Sequence, residues 1–251
     1  MASAPESQLL SYLPECRKRV GHREHKRIYR KISSVFSDRR ELNRVLGGVL
    51  PDNVGLGEGY VFYEVNLRKR IPDCVLVFVE DDGTVNCYVV EFKTTMRSAD
   101  SESIHANKTH RFQYLQGLRQ LRDSLQIFCQ FSSVSGTDWN IYPVIAFFKQ
   151  RGSTVSFSRT FRPKVCKVCT PVVLDYVRSQ QDESVKNLSR FAVYRGVRSP
   201  PRKRSRVPSR GTRTAPRRGR VASSAAGGGS GTRRKTSAQG RRRFGRARKG
   251  S

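Results

Sequence analysis

The sequence predicts a mixed α/β domain followed by a long basic tail. In residues 17–197, segments with apolar residues at helical spacing alternate with segments whose apolar residues have the period of a strand. That length is enough to bury a single hydrophobic core. Residues 198–251 hold 19 of the 49 Lys and Arg residues and have no Asp or Glu. We therefore expect a mixed central sheet flanked by helices, with the core order αβββαβ, and a separate tail.

The N-terminal part predicts a flexible leader and two helices. Residues 1–16 form the leader, and residues 17–36 read as a basic amphipathic helix. Residues 38–47 predict a second, short helix. Asp38 suits its N-cap, and Gly47 suits the left-handed residue that ends a helix.

Three strands are predicted next. Residues 60–67 and 84–95 have the period of a strand, and residues 74–80 are almost wholly apolar. A continuous apolar run of this length is typical of a strand buried on both faces. Residues 96–107 are polar and predict a loop.

The second half of the body predicts a long helix, two strands and a closing helix. The long helix spans residues 108–128, the strands span 141–148 and 154–161, and the closing helix spans about 172–195. The apolar stripe predicted for the long helix comprises Phe112, Leu115, Leu118, Leu121, Leu125 and Phe128.

The composition excludes or disfavours several classes of protein. No window approaches the roughly 20 apolar residues of a membrane span, and the N-terminus has no apolar stretch of signal-peptide length. We therefore expect a protein of the cytosol or nucleus. The six cysteines are scattered, which in a reducing compartment favours thiols over disulfides. Cys166 and Cys169 form a C-x-x-C pair, but no second pair completes a zinc site.

Two acidic residues and a lysine are predicted to meet at the ends of neighbouring strands. Asp73 directly precedes the second strand, and Glu91 and Lys93 share one face near the end of the third. Neighbouring carboxylates repel each other, and a divalent cation relieves the repulsion. Asp73 and Glu91 are therefore predicted ligands of Mg²⁺, with Mn²⁺ as the alternative. This chemistry is metal-assisted phosphodiester hydrolysis, in which Lys93 orients the water or stabilises developing negative charge.

Further polar residues are candidates for the same site. Glu41, on the short helix, is a candidate third carboxylate. Gln113 and Gln116 lie on the polar side of the long helix, and Gln113 is included among the catalytic candidates. Glu64, in the first strand, is predicted to face either the core or the site.

The three central residues also have a purely structural interpretation. Asp73 can cap a turn, and Glu91 and Lys93 can form a surface ion pair, which contributes little to stability. The E-x-K pattern alone is common, so it does not decide between the two interpretations.

The basic tail predicts binding to a polyanion or to a nuclear import receptor. It has almost no large apolar residue to offset chain entropy, so we expect it to be disordered. Dense Arg predicts salt-sensitive binding of DNA or RNA. Residues 200–206 (PPRKRSR) resemble a cluster bound by a nuclear import receptor. The alternative is a tail that is merely solvated, and the basic helix over 17–36 has the same two interpretations.

Several blocks of the body resemble, in order, the herpesvirus unique-long twenty-four family of basic nuclear proteins. The blocks are LNRVLG (42–47), YEVNLRKRIPDC (63–74), CYVVEFKTT (87–95), RFQYLQGLRQLRDS (111–124) and PVIAFFKQR (143–151). The layout P-D…E-x-K in the order αβββαβ also resembles the PD-(D/E)xK nuclease superfamily. The resemblance covers more than half of the chain and does not extend to the basic tail.

The resemblance implies an endonuclease-like core acting on nucleic acid. It implies catalytic positions for Asp73, Glu91 and Lys93. Glu41 takes the position of the helical acid, for which Glu58 is the alternative. It further implies residence in the host nucleus and nucleolus and interference with the host cell cycle. We also expect some protein in the cytoplasm, host regulatory partners and no membrane association. The alternative is a non-catalytic nucleic-acid-binding or host-regulatory protein that retains the nuclease fold.

Overall fold

A computed structural model describes residues 15–51 and 57–195 of the chain. The predicted tail, its import cluster and most of the predicted leader lie outside these residues. The helices are α1 (Glu15–Val35), α2 (Arg39–Leu46), α3 (Ser101–Ala106), α4 (Lys108–Cys129), α5 (Thr170–Ser179) and α6 (Glu183–Lys186). The strands are β1 (Gly57–Tyr63), β2 (Cys74–Glu80), β3 (Val85–Thr95), β4 (Ser132–Lys149), β5 (Val155–Thr160), β6 (Lys164–Val168) and β7 (Arg190–Tyr194). None of these helices is long and apolar enough to cross a membrane.

The strands form one mixed sheet, as predicted. Its order is β5-β4-β3-β2-β1-β7, and β6 pairs with β4 beside this path. Strands β3 and β4 are parallel and are connected through α3 and α4, whereas the other pairs are antiparallel. This is the crossover connection that parallel strands require.

Helices cover both faces of the sheet, so it has two apolar layers. In β2, Leu76 and Phe78 belong to the layer that includes residues of α1 and α2. The alternating Val75 and Val77 belong to the layer that includes residues of α4 and α5. The prediction that this strand is buried on both faces is confirmed.

Helix α2 has the ends that the sequence predicts. The Asp38 carboxylate accepts hydrogen bonds from the backbone N–H groups of Arg40 and Glu41, both at 3.0 Å. Gly47 follows the helix with a φ of 80°, a conformation that glycine adopts without steric cost. These caps satisfy backbone groups that the helix itself leaves unpaired.

The predicted loop over 96–107 is wrong in its second half, which forms α3. Asp100 and Ser103 form a reciprocal capping box that stabilises the start of this short helix. Strand β1 also ends earlier than predicted, at Tyr63. Glu64 adopts a φ of 47°, and Val65 forms an isolated bridge with Gln181 instead of continuing the strand.

The predicted closing helix over 172–195 is also wrong. The chain leaves the helical conformation after Ser179, and residues 190–194 form β7, antiparallel to β1. In β7, Ala192 and Tyr194 are buried and their neighbours are exposed, which is the alternation of a strand. Pairing with β7 satisfies the edge of β1 that would otherwise be open.

Helix α4 packs on the sheet through a narrower face than predicted, and part of that face consists of small residues. Of the predicted stripe, only Leu121 and Phe128 are buried, and the small residues Gly117 and Ser124 of the same helix are buried too. A Cβ atom built on Gly117 would lie 2.5 Å from Ile145 Cδ1 of β4. Small residues therefore allow the helix axis to approach the sheet closely.

The expectation that the cysteines are thiols is wrong for one pair. Cys129, at the end of α4, forms a disulfide with Cys166 of β6, with a Cα–Cα distance of 5.8 Å. Strand β6 was not among the predicted elements, and its pairing with β4 brings these two distant residues together. Cys74 and Cys87 are buried thiols, and Cys169 is an exposed one.

Candidate active site

Asp73, Glu91 and Lys93 lie together where β2 begins and β3 approaches its end. The antiparallel register pairs Cys74 with Val90, so that Asp73 lies beside Glu91 on the adjacent strand. Glu91 is 4% exposed, and Lys93 Nζ lies 2.8 Å from Glu91 Oε1. The interpretation as a surface ion pair is therefore wrong, because both side chains are almost fully withdrawn from solvent.

The Asp73 carboxylate is held by three donors. Its Oδ2 accepts a hydrogen bond of 2.7 Å from the backbone N–H of Phe92. Its Oδ1 lies 3.2 Å from His25 Nδ1 and 3.4 Å from the Tyr29 hydroxyl. Burial alone would raise the pKa of Asp73, but the charges of His25 and Lys93 and the hydrogen bonds lower it below its usual value. Asp73 is therefore a stable carboxylate.

Glu91 differs from Asp73 in its protonation. Burial and then repulsion from the Asp73 carboxylate raise the pKa of Glu91 to about 7, although Lys93 and His25 act in the opposite direction. The two neighbouring acids thus have pKa values displaced in opposite directions. A pair of this kind is typical of sites at which one group binds a cation or exchanges a proton near neutral pH.

Lys93 is positioned from two sides. Its Nζ donates to Glu91 Oε1 and, at 2.9 Å, to Gln120 Oε1 of α4. A Cβ on Gly117 would lie 3.3 Å from Lys93 Cε, so the glycine leaves room for the lysine stem. The close approach of α4 to the sheet therefore fixes the ammonium group in place.

Two site residues on α1, His25 and Tyr29, were missed by the sequence analysis. Burial lowers the pKa of His25, but the Asp73 carboxylate more than compensates, and the pKa is raised overall. Tyr29 is fully buried, and its ring packs against that of Tyr63 with centroids 4.7 Å apart. The available signal was their spacing: residues 25 and 29 lie on the same helix face as the buried Ile32.

The structure does not bring Glu41 to this site. Helix α2 contacts α1 and β5, and β4 separates β5 from β3. The Glu41 carboxylate instead accepts a hydrogen bond from Arg44 of its own helix. Its alternative, Glu58, accepts a hydrogen bond of 2.7 Å from the Tyr60 hydroxyl. These contacts place neither Glu41 nor Glu58 beside Asp73 and Glu91, and the assignment of a helical acid stays a prediction.

A cleft of about 840 Å³ opens beside Lys93. It receives both predicted glutamines, Gln113 and Gln116, together with His25. The remaining lining residues are Val20, Gly21, His22, Phe92, Thr94, Thr95, Met96, Arg97, Asn107, Thr109, His110 and Gln150. The Oε1 atom of Gln113 is buried and has no hydrogen-bond partner. Glu64 lies outside this cleft. Burial is the main cause that raises the pKa of the Tyr29 hydroxyl, and the nearby Glu64 carboxylate raises it further.

The donor set suits a hard divalent cation that keeps part of its water. Across 15–51 and 57–195, no group of three or more His, Cys, Asp or Glu side chains is arranged to hold a metal ion. Mg²⁺, however, commonly uses one or two carboxylates and completes its coordination with water and phosphate oxygens. The repulsion that raises the pKa of Glu91 is the interaction that such a cation would relieve.

Comparisons with known proteins identify the family of the chain. Residues 11–188 match the family described as herpes virus proteins UL24 and UL76. The chain is 36% identical over 212 residues to the protein UL24 homolog of human herpesvirus 6A (strain GS), covering 83% of this chain and 84% of that protein. It is 37% identical over 193 residues to the homolog of human herpesvirus 6B (strain Z29), covering 75% and 77%. With the homolog of human herpesvirus 8 type P, it shares 37% identity over 152 residues, covering 60% and 56%. No solved structure matches the chain significantly. This chain therefore belongs to the herpesvirus UL24 and UL76 protein family.

Proposed function

We propose that this protein is a Mg²⁺-dependent, PD-(D/E)xK endonuclease-like protein that acts on nucleic acid in the host nucleus. The observation that carries the proposal is the largely buried group of Asp73, Glu91 and Lys93, of which Lys93 lines a large cleft. Burying two acids and a base together carries a desolvation cost, and groups of this kind are concentrated at functional sites. Their spacing across adjacent strands is also the spacing of the superfamily that the sequence resembles.

Each residue has a distinct role in the proposed hydrolysis. Asp73 is ionised, and His25 holds its carboxylate in place. Glu91, with a pKa near 7, is the second ligand and releases its proton when a cation binds. Asp73 and Glu91 would hold Mg²⁺, which would supply a Lewis acid for the phosphate and make a coordinated water more acidic. Lys93 donates to the attacking water or to a phosphate oxygen, and Gln120 keeps its ammonium group in position.

Basic surfaces supply the attraction for nucleic acid in this proposal. Arg23, Arg27 and Arg30 of α1 are exposed. The Arg-rich residues 198–251 add charge and include the segment that resembles an import cluster. We propose that the tail directs the protein to the nucleus and nucleolus, and that interference with the host cell cycle follows from its action there.

Cleavage by matched lysine variants tests this proposal. Full-length protein is incubated with labelled single-stranded and duplex DNA and RNA, with Mg²⁺, with Mn²⁺ and with a chelator. Lys93→Met should lower metal-dependent cleavage by at least about 100-fold, the usual size of a general acid–base or electrostatic contribution. Lys164→Met, at an exposed position of β6, should cleave like wild type. Equal cleavage by wild type and Lys93→Met, or none by either, would overturn the proposal.

One observation favours a second function, that of a non-catalytic binding protein. Lys93 already donates to Glu91 and Gln120, and Asp73 already has three donors, so the site is satisfied without substrate. On this alternative, the group stabilises the fold and the basic surfaces bind nucleic acid. The Asp73→Asn/Glu91→Gln variant separates the two functions. If it binds nucleic acid and arrests dividing cells as wild type does, the effect on the cell does not need hydrolysis.

A further inference from the structure

The cleft beside Lys93 has the size and lining of a pocket for a polar, planar group. Its volume of about 840 Å³ falls within the range of known small-molecule sites. No Asp or Glu belongs to its described lining, whereas Lys93 and Arg97 do. Amides and hydroxyls make up much of the remainder, contributed by Thr94, Thr95, Asn107, Thr109, Gln113, Gln116 and Gln150. The cleft therefore suits a neutral polar group attached to an anion.

Gln113 is the residue that determines which kind of chemical group the cleft accepts. Its side-chain oxygen is buried without a hydrogen-bond partner, so it is an acceptor that lacks a donor. A buried acceptor of this kind destabilises the protein until a donor arrives. An amide presents an acceptor next to donors, and the edges of nucleobases present the complementary pattern in one plane.

Apolar side chains in the same cleft can contact the faces of such a ring. Val20 comes from α1, and Met96 directly follows β3 with 76% of its surface exposed. A thioether makes favourable contacts with aromatic rings and adapts to different shapes. An exposed methionine beside an amide-lined cleft therefore favours a flat aromatic ligand over an ion or a sugar.

We propose that this cleft binds an unpaired nucleobase, and that the substrate is therefore a single-stranded stretch of nucleic acid. The inference rests on the proposed function and defines its substrate class. A base inside a duplex is paired and stacked, so its edge and faces cannot both be bound. Because Lys93 lines the same cleft, a base bound here brings its own phosphate next to the ammonium group.

Fluorescence of 2-aminopurine in a short single strand tests the inference. This base analogue carries an exocyclic amine, and its emission increases when it leaves the base stack. Full-length protein is added in the presence of EDTA, so that neither metal nor cleavage is needed. The buffer contains about 0.3 M NaCl, which weakens binding of phosphates by the Arg-rich tail. We expect emission to rise several-fold with the single strand and to stay unchanged with the same base in a duplex.

Matched glutamines on α4 provide the control. Gln113→Leu, which has a similar volume, should abolish the rise. Gln126→Leu, at an exposed position of the same helix outside the cleft, should retain it. Met96→Ser changes an exposed side chain, so it leaves the fold intact and should weaken binding several-fold. Thermal unfolding of each variant reports whether it is folded.

Any of these fluorescence results would overturn the inference: no rise with wild type, an equal rise with Gln113→Leu and wild type, or an equal rise with duplex and single strand. Displacement of the strand by an equal concentration of a free nucleotide would also overturn it and assign the cleft to free nucleotides. The test is independent of the proposed hydrolysis. Cleavage that needs Asp73 but ignores Gln113 would refute this pocket alone. A Gln113-dependent rise without any cleavage would refute hydrolysis alone.

Discussion

The protonation of Glu91 gives a quantitative prediction for stability. Burial and the Asp73 carboxylate raise its pKa in the folded protein to about 7, from an ordinary value of 4.5. A group whose pKa is higher in the folded state contributes stability that is complete below the unfolded pKa. That contribution is lost as the pH rises through the folded pKa. Above pH 7, the ionised Glu91 should therefore lower the free energy of unfolding.

The size of this penalty follows from the two pKa values. Each unit of difference corresponds to about 1.4 kcal/mol, so the rise from 4.5 to about 7 gives about 3 kcal/mol. The side chain is almost wholly buried, so solvent screening reduces the figure little. Glu91→Gln removes the titrating group and leaves Asp73 and His25 in place. The stability of wild type relative to Glu91→Gln should thus fall by about 3 kcal/mol as the pH rises from about 4.5 to 8.

Urea unfolding of both proteins across this pH range, in a chelating buffer, measures the difference. Glu102→Gln, at an exposed position of α3, is the matched control, and its profile should follow that of wild type. Excess Mg²⁺ at pH 8 should restore stability to wild type and not to Glu91→Gln, because the cation offsets the carboxylate repulsion. A difference between wild type and Glu91→Gln that stays constant with pH would refute this account of the site.

Two further predictions concern the fold that positions the site. Asp38→Ala removes the N-cap of α2 and should cost about 1 kcal/mol of unfolding free energy, measured by urea titration; an unchanged midpoint would contradict the capping role. Gly117→Ala places a methyl group 2.5 Å from Ile145 Cδ1. It should cost about 1–2 kcal/mol in the wild-type background, despite the better helix propensity of Ala. Ile145→Val removes the clashing atom, so Gly117→Ala should be neutral or stabilising in that background. Equal effects in both backgrounds would show that packing does not require the glycine.

The parts of the fold that depend on local patterns could be predicted from the sequence. The caps of α2 need only Asp38 and Gly47, and the continuous apolar run of β2 announces a strand buried on both faces. The proximity of Asp73 to Glu91 also follows from sequence, because antiparallel strands joined by a short turn have a fixed register. Their roles in chemistry remain predictions.

The parts that depend on distant pairing could not be predicted. Strand β7 exists because β1 offers an open edge, which the local sequence around residues 190–194 does not reveal. The disulfide between Cys129 and Cys166 depends on the pairing of β6 with β4. The resemblance suggested Glu41 as the helical acid, but its helix α2 packs against β5, which β4 separates from β3.

The helix facing the site illustrates the same limit. His25 and Tyr29 reach Asp73 because α1 packs against β3, the strand beside β2, and this placement is tertiary. Their spacing showed that they share the buried face of the helix, but not which strand end they meet. Likewise, the sequence placed Gln113 near the cleft, and only the packing of α4 shows that its oxygen lacks a partner.

Calorimetric titration of the full-length protein with Mg²⁺ and with Mn²⁺ tests the central claim most directly. At pH 7, wild type should bind one cation and release a fraction of a proton, because the raised pKa of Glu91 leaves part of this carboxyl protonated and it must ionise to bind. The proton release appears as a dependence of the binding enthalpy on the buffer. Asp73→Asn/Glu91→Gln should show neither binding nor release. Identical titrations of wild type and this variant would contradict a metal site at these two carboxylates.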